Sequence, residues 1–294
     1  MSNGPSGFVL VNKPAGPTSH GVVAALRRSL ATRKVGHAGT LDPMATGLLI
    51  AGVGRATRLL TYLVGLDKAY TATIRLGEAT TTDDAEGELM AATDAFRVTD
   101  AQILAALQAF RGEIMQRPTR VSAIKVDGKR AYDRVRAGED VEIAARPVTI
   151  HELEVLSGPT PATGAGGGGV VDLDVRVRVS SGTYIRAIAR DLGEALGVGG
   201  HLTRLERTSV GPFTLADASE LEAPELLEPL GVMGRVLPVC EVDDGEAKDL
   251  AQGRFIAPRD FAGEFALAAH AGSLIAVVTV REGRTRPVLV MEAQ

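Results

Sequence analysis

The stretch Val35-Gly36-His37-Ala38-Gly39-Thr40-Leu41-Asp42-Pro43-Met44-Ala45-Thr46-Gly47-Leu48 decides how this chain is read. It sets one carboxylate, Asp42, among small side chains. Pro43 pushes Asp42 out of the α region toward an extended backbone, because its ring crowds the residue before it. Gly36, Gly39 and Gly47 carry no Cβ, so another backbone or a ligand can come close. The stretch can therefore present a single carboxylate on a tight, bare loop. Spacing alone leaves a second reading open, in which Asp42 caps a helix starting at Pro43.

Further motifs lie on both sides. Asn12-Lys13-Pro14-Ala15-Gly16-Pro17-Thr18-Ser19 precedes the stretch. Asp67-Lys68-Ala69-Tyr70, Arg75-Leu76-Gly77, Asp83-Asp84-Ala85-Glu86-Gly87, Val121-Ser122-Ala123-Ile124-Lys125 and Ser181-Gly182-Thr183-Tyr184-Ile185-Arg186 follow it. In order and spacing the set resembles the TruB-type pseudouridine synthases over about residues 8–213. So many collinear matches are far more specific than one Gly-rich motif. That family isomerises uridine 55 in the T arm of transfer RNA.

The resemblance implies an α+β fold: a pseudouridine synthase domain with a largely antiparallel mixed sheet flanked by helices, plus a small β-rich, PUA-like C-terminal domain. The implied division is 6–213 for the catalytic domain, with a basic RNA-binding insertion at about 113–146, then a connector at 214–236 and the small domain at 237–294. Two positions depart from the family pattern. Asn12 stands where an aspartate is common, and Val121 where a tyrosine is common. They bear on loop packing and affinity and leave the chemistry-bearing residues in place.

Bulk properties fit this reading. The 294 residues are 45% hydrophobic, enough for a large core in one or two domains. Net charge is −4, which by itself argues against a nucleic-acid partner, but the charges are segregated. Residues 13–41 hold Lys13, Arg27, Arg28, Arg33 and Lys34 and no carboxylate. Residues 111–136 hold eight basic and three acidic side chains, whereas 215–250 hold ten acidic and two basic. A basic face can bind phosphate although the sum is negative. Cys240 is the only cysteine, so no intrachain disulfide or cysteine-based metal site is possible. His20, His37, His151, His201 and His270 lack metal-ligand spacing. No apolar run is long enough to cross a membrane, and the first residues lack a signal peptide's basic and apolar regions. A cytoplasmic monomer with no metal, no cofactor and no membrane partner is expected.

Local patterns predict the elements. Phe8–Val11 reads as a strand, and Ser19 as the N-cap of a helix reaching Leu30 with Val22, Val23, Leu26 and Leu30 on its apolar stripe. Leu48–Val53 is an apolar run. Tyr70–Leu76 alternates as a strand. Thr99 and Gln102 form a capping box for a helix that Gly112 ends. Residues 113–146 lack a long periodic pattern and read as a mobile binding loop. Val148–Leu156 and Val170–Val179 read as paired strands with a Gly-rich tip at 164–169. Thr183 is expected to cap a helix with stripe Ile185, Ile188, Ala189, Leu192 and Leu196, closed by Gly197. Leu274–Val280 and Val288–Met291 form strands of the small unit, joined by Arg281-Glu282-Gly283-Arg284.

Arg186 stands out on physical grounds. It falls in the first turn of a predicted helix, where the helix dipole disfavours a cation, and Gly182 and Arg190 at i−4 and i+4 offer it no partner. It should seek a carboxylate elsewhere in the chain, or else lie solvated on the surface. The resemblance places Arg186 against Asp42 as catalytic carboxylate, with Asp84 as a second acid in the same network. It places Tyr70 near C5 of a flipped uracil and Tyr184 and Leu205 around the target nucleotide. It also makes His37 a ring that stacks into the T loop in place of departed bases. Arg117, Arg120, Lys125, Lys129 and Arg130 would grip phosphates of the T stem-loop.

The implied reaction is cleavage of C1′–N1, rotation of the uracil and rejoining through C5, with Asp42 acting as nucleophile on the sugar or as base at its C2′ hydrogen. Two rivals compete with it. A non-catalytic RNA binder or folding helper would not need Asp42, Tyr70 and Arg186, all of which are present. A nucleoside or glycoside hydrolase would need a second carboxylate as acid, and Asp84 is the nearest candidate.

Overall fold

Tyr70, Ala72, Ile74 and Leu76 alternate with Thr71, Thr73 and Arg75, and a period of two puts the first set on one sheet face. The computed structural model, which describes residues 4–119, 125–126, 129–130 and 143–291, makes this run a strand with the first set buried. In chain order the first elements are β1 (Gly7–Lys13), α1 (Ser19–Ser29), β2 (Val35–His37), β3 (Thr46–Val53), α2 (Thr61–Val64), β4 (Lys68–Leu76), β5 (Glu78–Thr80) and β6 (Leu89–Ala92). There follow α3 (Asp100–Gln108), β7 (Gly112–Gln116), β8 (Lys125–Val126), β9 (Lys129–Arg130), β10 (Arg146–Thr163), β11 (Gly169–Val179), α4 (Ile185–Ala195) and β12 (Gly200–Val210). The last are β13 (Phe213–Thr214), β14 (Ser219–Glu220), α5 (Pro229–Met233), β15 (Val239–Glu241), α6 (Asp244–Ala251), β16 (Ala266–His270), β17 (Ser273–Arg281) and β18 (Arg284–Val290).

The chain divides into two compact units. One holds residues 44–46 and 66–210. Its strands run in the order β12-β4-β11-β10-β7, every neighbouring pair antiparallel. Register puts Arg207 and Val177 directly opposite Tyr70, and Leu205 and Val175 opposite Ala72. Opposed residues of antiparallel strands share a face, so Tyr70, Ala72, Leu205 and Arg207 point the same way. Helix α4 packs on β12 and β4, with Ile185, Ile188, Ala189 and Leu192 buried. The other face is polar and laced across strands. Arg75 donates two bonds to Asp172 (both 2.8 Å), and Thr73 donates to Asp174 (2.6 Å).

The other unit holds residues 1–43, 47–65 and 211–294. In it β3 pairs antiparallel with β1 and with β2, and β14 adds to β1 in parallel. Within the acidic stretch expected to be a connector, Ser219 and Glu220 pair with β1 at the sheet edge. Phe8 and Leu227 also exchange backbone bonds (2.9 and 2.7 Å). The last residues form a four-stranded sheet, β15-β16-β17-β18, over a core that includes Leu250, Ile256, Ala268, Ile275 and Val278. The β-rich tail is as expected, with its hairpin turned at Glu282 and Gly283, both at positive φ. The described sheets are largely antiparallel, and the fold is α+β as expected.

Local corrections have simple causes. Thr18, one residue earlier than expected, caps α1 by accepting from the Gly21 N–H (2.9 Å), while Ser19 is buried. Thr183 does not cap α4. Its hydroxyl donates to the Ser180 carbonyl (2.9 Å), and Tyr184 is the N-cap residue. Helix α3 ends at Gln108, and Gly112 at positive φ opens β7, so residues 113–116 of the expected loop are a strand paired with β10. The short run Gly112–Gln116 carries too few apolar residues to announce itself. Among the described residues no helix is long and apolar enough to cross a membrane, and no group of acidic, His or Cys side chains could hold a metal.

Candidate active site

Asp42 is only partly covered, in a non-helical segment between β2 and β3. No helix starts at Pro43, since the chain bends at 43–44 and enters β3 at Thr46, so the helix-capping reading fails. Both neighbours of Asp42 are tied down. The Leu41 N–H donates to Ser19 Oγ (2.8 Å), and the Ser19 hydroxyl donates to the Leu41 carbonyl (3.0 Å). The Pro43 carbonyl accepts from Lys13 Nζ (3.1 Å) and from the Gly16 N–H (2.9 Å). Lys13 is fully buried and also donates to the Pro14 carbonyl (2.9 Å). The Asn12–Ser19 motif therefore fixes the backbone on each side of the carboxylate. Gly39 and Gly47 sit at φ of 108° and 102°, values that favour glycine. His37 is half-buried at the end of β2, and its ring meets that of His20 edge-on at 5.4 Å.

In the other unit Arg186 is 4% exposed at the second position of α4. Arg186 meets Asp84, itself 3% exposed: Arg186 Nη1 donates to Asp84 Oδ2 (3.1 Å) and to the Thr82 carbonyl (2.8 Å). The turn from Thr80 to Gly87 is built around Asp84. Its Oδ1 accepts from the Thr82 hydroxyl and the Glu86 N–H (3.1 Å), and its carbonyl accepts from the Thr80 hydroxyl (2.7 Å). A buried pair of this kind costs about 3–5 kcal/mol when one partner is removed, because the other charge stays buried. Lys68, at the start of β4, donates to the Leu66 carbonyl (2.6 Å) and to Ser181 Oγ (3.3 Å). Burial first, then the nearby Arg207 charge, push its ammonium down to about 8, with Asp67 acting against them.

Asp83, next to Asp84, adopts φ of 60° and pairs with Arg190 (3.3 Å). Burial pushes its carboxyl up to about 6; Arg190 and Arg186 oppose this, and Asp191 and Asp84 add to it. The folded protein therefore holds a proton here that the unfolded chain has released between its ordinary 3.8 and about 6. That contribution to stability is fully present below the unfolded value and is lost as pH rises through about 6. Asp83→Asn carries no charge, and asparagine tolerates the left-handed backbone. It is expected to melt higher than the parent at pH 8, by an amount equivalent to roughly 1–3 kcal/mol. The gap should shrink as pH falls toward 5. A gap that stays constant with pH in thermal melts would contradict this assignment.

Comparison with known proteins settles the lineage. Residues 27–185 match the family description TruB family pseudouridylate synthase, N-terminal domain. The chain belongs to the TruB family. Residues 186–228 match the tRNA pseudouridylate synthase B C-terminal domain, and 237–292 match the C-terminal domain of tRNA pseudouridine synthase II. A protein of Arthrobacter sp. named tRNA pseudouridine synthase B is 55% identical, over 97% of this chain and 96% of its own. One of the same name from Corynebacterium glutamicum is 53% identical, over 97% and 95%. In fold, the chain is similar to one in an H/ACA RNP bound to a substrate RNA containing 2′-deoxyuridine. The TM-score is 0.69 at 24% identity, over 97% of this chain and 85% of that one. A chain in the archaeal box H/ACA sRNP Nop10–Cbf5 complex gives 0.68 at 23% identity, over 99% and 87%.

Against the TruB pattern, Tyr70, Asp84, Tyr184, Arg186 and Leu205 lie in one compact unit, and Asp42 and His37 in the other. Within the first, Tyr70 and Leu205 share a sheet face on which α4 packs, and Arg186 and Asp84 touch. Lys125, Lys129 and Arg130 have backbones in the β8–β9 hairpin, but their side chains lie outside what is described, as do Arg120 and Val121. Gln116 and Arg146 carry no signal in the sequence, and Ser19, expected as a helix cap, instead ties the Leu41 backbone. Their work is hydrogen bonding to distant backbone, and no spacing in the chain signals that.

Proposed function

We propose that this TruB-family enzyme isomerises uridine 55 in the T arm of transfer RNA to pseudouridine. The observation that carries the reading is Asp42 itself, a carboxylate whose two neighbours are pinned by Ser19 and by Lys13 and Gly16. Support also comes from near-full-length relatives named tRNA pseudouridine synthase B. A positioned carboxylate on rigid backbone suits a reaction that needs one group at the sugar and no redox step.

In the proposed reaction the uridine leaves its stack and Asp42 acts at the sugar, as nucleophile at C1′ or as base at the C2′ hydrogen. The C1′–N1 bond breaks, the uracil turns, and a C1′–C5 bond forms. C5 then loses its proton and N1 carries one, so the product is an isomer of the substrate. Arg186 is proposed to orient Asp42 and keep it ionised. Tyr70 is proposed to face the uracil near C5, with Tyr184 and Leu205 around the nucleotide and Asp84 holding Arg186. His37 is proposed to replace stacking lost on base flipping. Lys125, Lys129 and Arg130 are proposed to hold phosphates of the stem-loop. We also read 6–213 as the catalytic region, 237–294 as a small accessory domain, and the enzyme as a cytoplasmic monomer.

The test is pseudouridine mapping on unmodified, transcribed transfer RNA incubated with the full chain. A single modification at position 55 is expected, matched by tritium release from C5-labelled uridine. No pseudouridine, or pseudouridine elsewhere, would overturn the reading.

A further inference from the structure

Strand β7 ends at Gln116, whose side chain is buried at 1% exposure. Its amide is spent on the backbone of one residue. The Tyr184 N–H donates to Gln116 Oε1 (2.8 Å), and Gln116 Nε2 donates to the Tyr184 carbonyl (3.0 Å). Tyr184 is the N-cap residue of α4 and makes no side-chain cap bond of its own. In a capping box the N-cap N–H is satisfied by a Glu or Gln at the third helical position. Here that position is Ala187, which cannot serve, and Gln116 supplies the acceptor from 68 residues away.

Directly opposite Gln116 in the β7–β10 ladder stands Arg146. Opposed residues share a face, and Arg146 reaches the same segment. It donates to the Gly182 carbonyl, and its guanidinium lies 5.2 Å from the centre of the Tyr184 ring. One residue past Gln116, the Arg117 carbonyl accepts from Arg190 Nη2 of α4 (2.7 Å). The two strand ends that flank the basic stretch thus grip one short segment, Gly182–Arg190, which carries Tyr184 and Arg186.

We propose that Gln116 and Arg146 are positioning residues. Together they set Tyr184 and, through the first turn of α4, the guanidinium of Arg186. The proposal rests on the roles given above to Tyr184 and Arg186. Misplacing a catalytic group by a small distance costs far more in rate than in binding, because binding is spread over many phosphates.

The test uses the full chain and unmodified transfer RNA, with single-turnover rate at saturating RNA and RNA Kd measured separately. Gln116→Met keeps the length of the side chain and removes both hydrogen bonds. It is expected to slow the single-turnover rate roughly tenfold or more, with Kd unchanged within about twofold. Arg146→Lys keeps the charge but loses the planar contact, and is expected to lower the rate by at least about threefold without changing Kd. Assays run well below each variant's melting temperature, so a purely structural defect would move the melting curve and leave the rate. If Gln116→Met does not fold, Arg146→Lys decides alone. A parental rate in the folded variants, or a loss confined to Kd, overturns the proposal. Failure of the parent itself to make pseudouridine would instead strike the proposed function.

Discussion

Asp42→Asn is expected to reduce pseudouridine formation by roughly 10⁴-fold or more, the scale seen when a residue that touches the reacting atoms is removed. The substitution keeps the shape of the side chain and leaves the ties at Leu41 and Pro43 intact, because these are made by backbone groups. Only the charge and the basic oxygen are lost. Affinity for transfer RNA should stay within about twofold, since Asp42 supplies no positive charge to a phosphate. Tritium release from C5-labelled uridine gives the rate, and filter binding gives the affinity. Turnover near the parental rate would remove Asp42 from the chemistry.

Arg186→Lys is expected to lower the single-turnover rate by about 10²–10³-fold, the usual range for losing one preorganised charged donor. Arg186 Nη1 reaches two acceptors at once, the Thr82 carbonyl and Asp84. A lysine ends in one compact ammonium on a shorter reach and has no planar fork, so it cannot keep these contacts and also face a second carboxylate. The charge is retained, which separates geometry from simple electrostatics. The melting temperature should also fall, because Asp84 remains buried with a weakened partner. Measuring the rate well below that temperature isolates the catalytic loss. A lysine variant with parental turnover would show that the planar geometry of the guanidinium is not needed.

Much of the fold was readable one strand at a time. The alternation in Tyr70–Leu76 and Val171–Val179 survives in β4 and β11, because each strand has one buried face and period two is then enforced along it. The capping box at Thr99 and Gln102 is present because both partners lie within one turn. Arg186 was predicted to seek a carboxylate from elsewhere, and the reason was local: a cation in the first turn of a helix has no helical partner. Cap identities were the weaker point. Thr18 and Ser19 are adjacent and chemically alike, and only the position of Leu41 decides that Ser19 is needed elsewhere. The same holds at Thr183, whose hydroxyl finds Ser180 before it finds the helix.

The amino-acid sequence by itself determined the buried faces of the long strands, because these depend on spacing within a few residues, and it carried the motifs whose resemblance to the TruB family implied the α+β class and the chemistry-bearing residues. Tertiary structure alone decided the geometry by which Arg186 meets Asp84 and the Thr82 carbonyl, how Lys13 and Ser19 brace the loop of Asp42, and that Gln116 and Arg146 grip the start of α4. Each of these joins groups tens of residues apart, and except for the Arg186–Asp84 ion pair and the Arg146–Tyr184 ring contact they do so through backbone carbonyls and N–H groups. Every residue carries those groups, so their pairing leaves no mark in side-chain pattern and is settled only when the chain has packed.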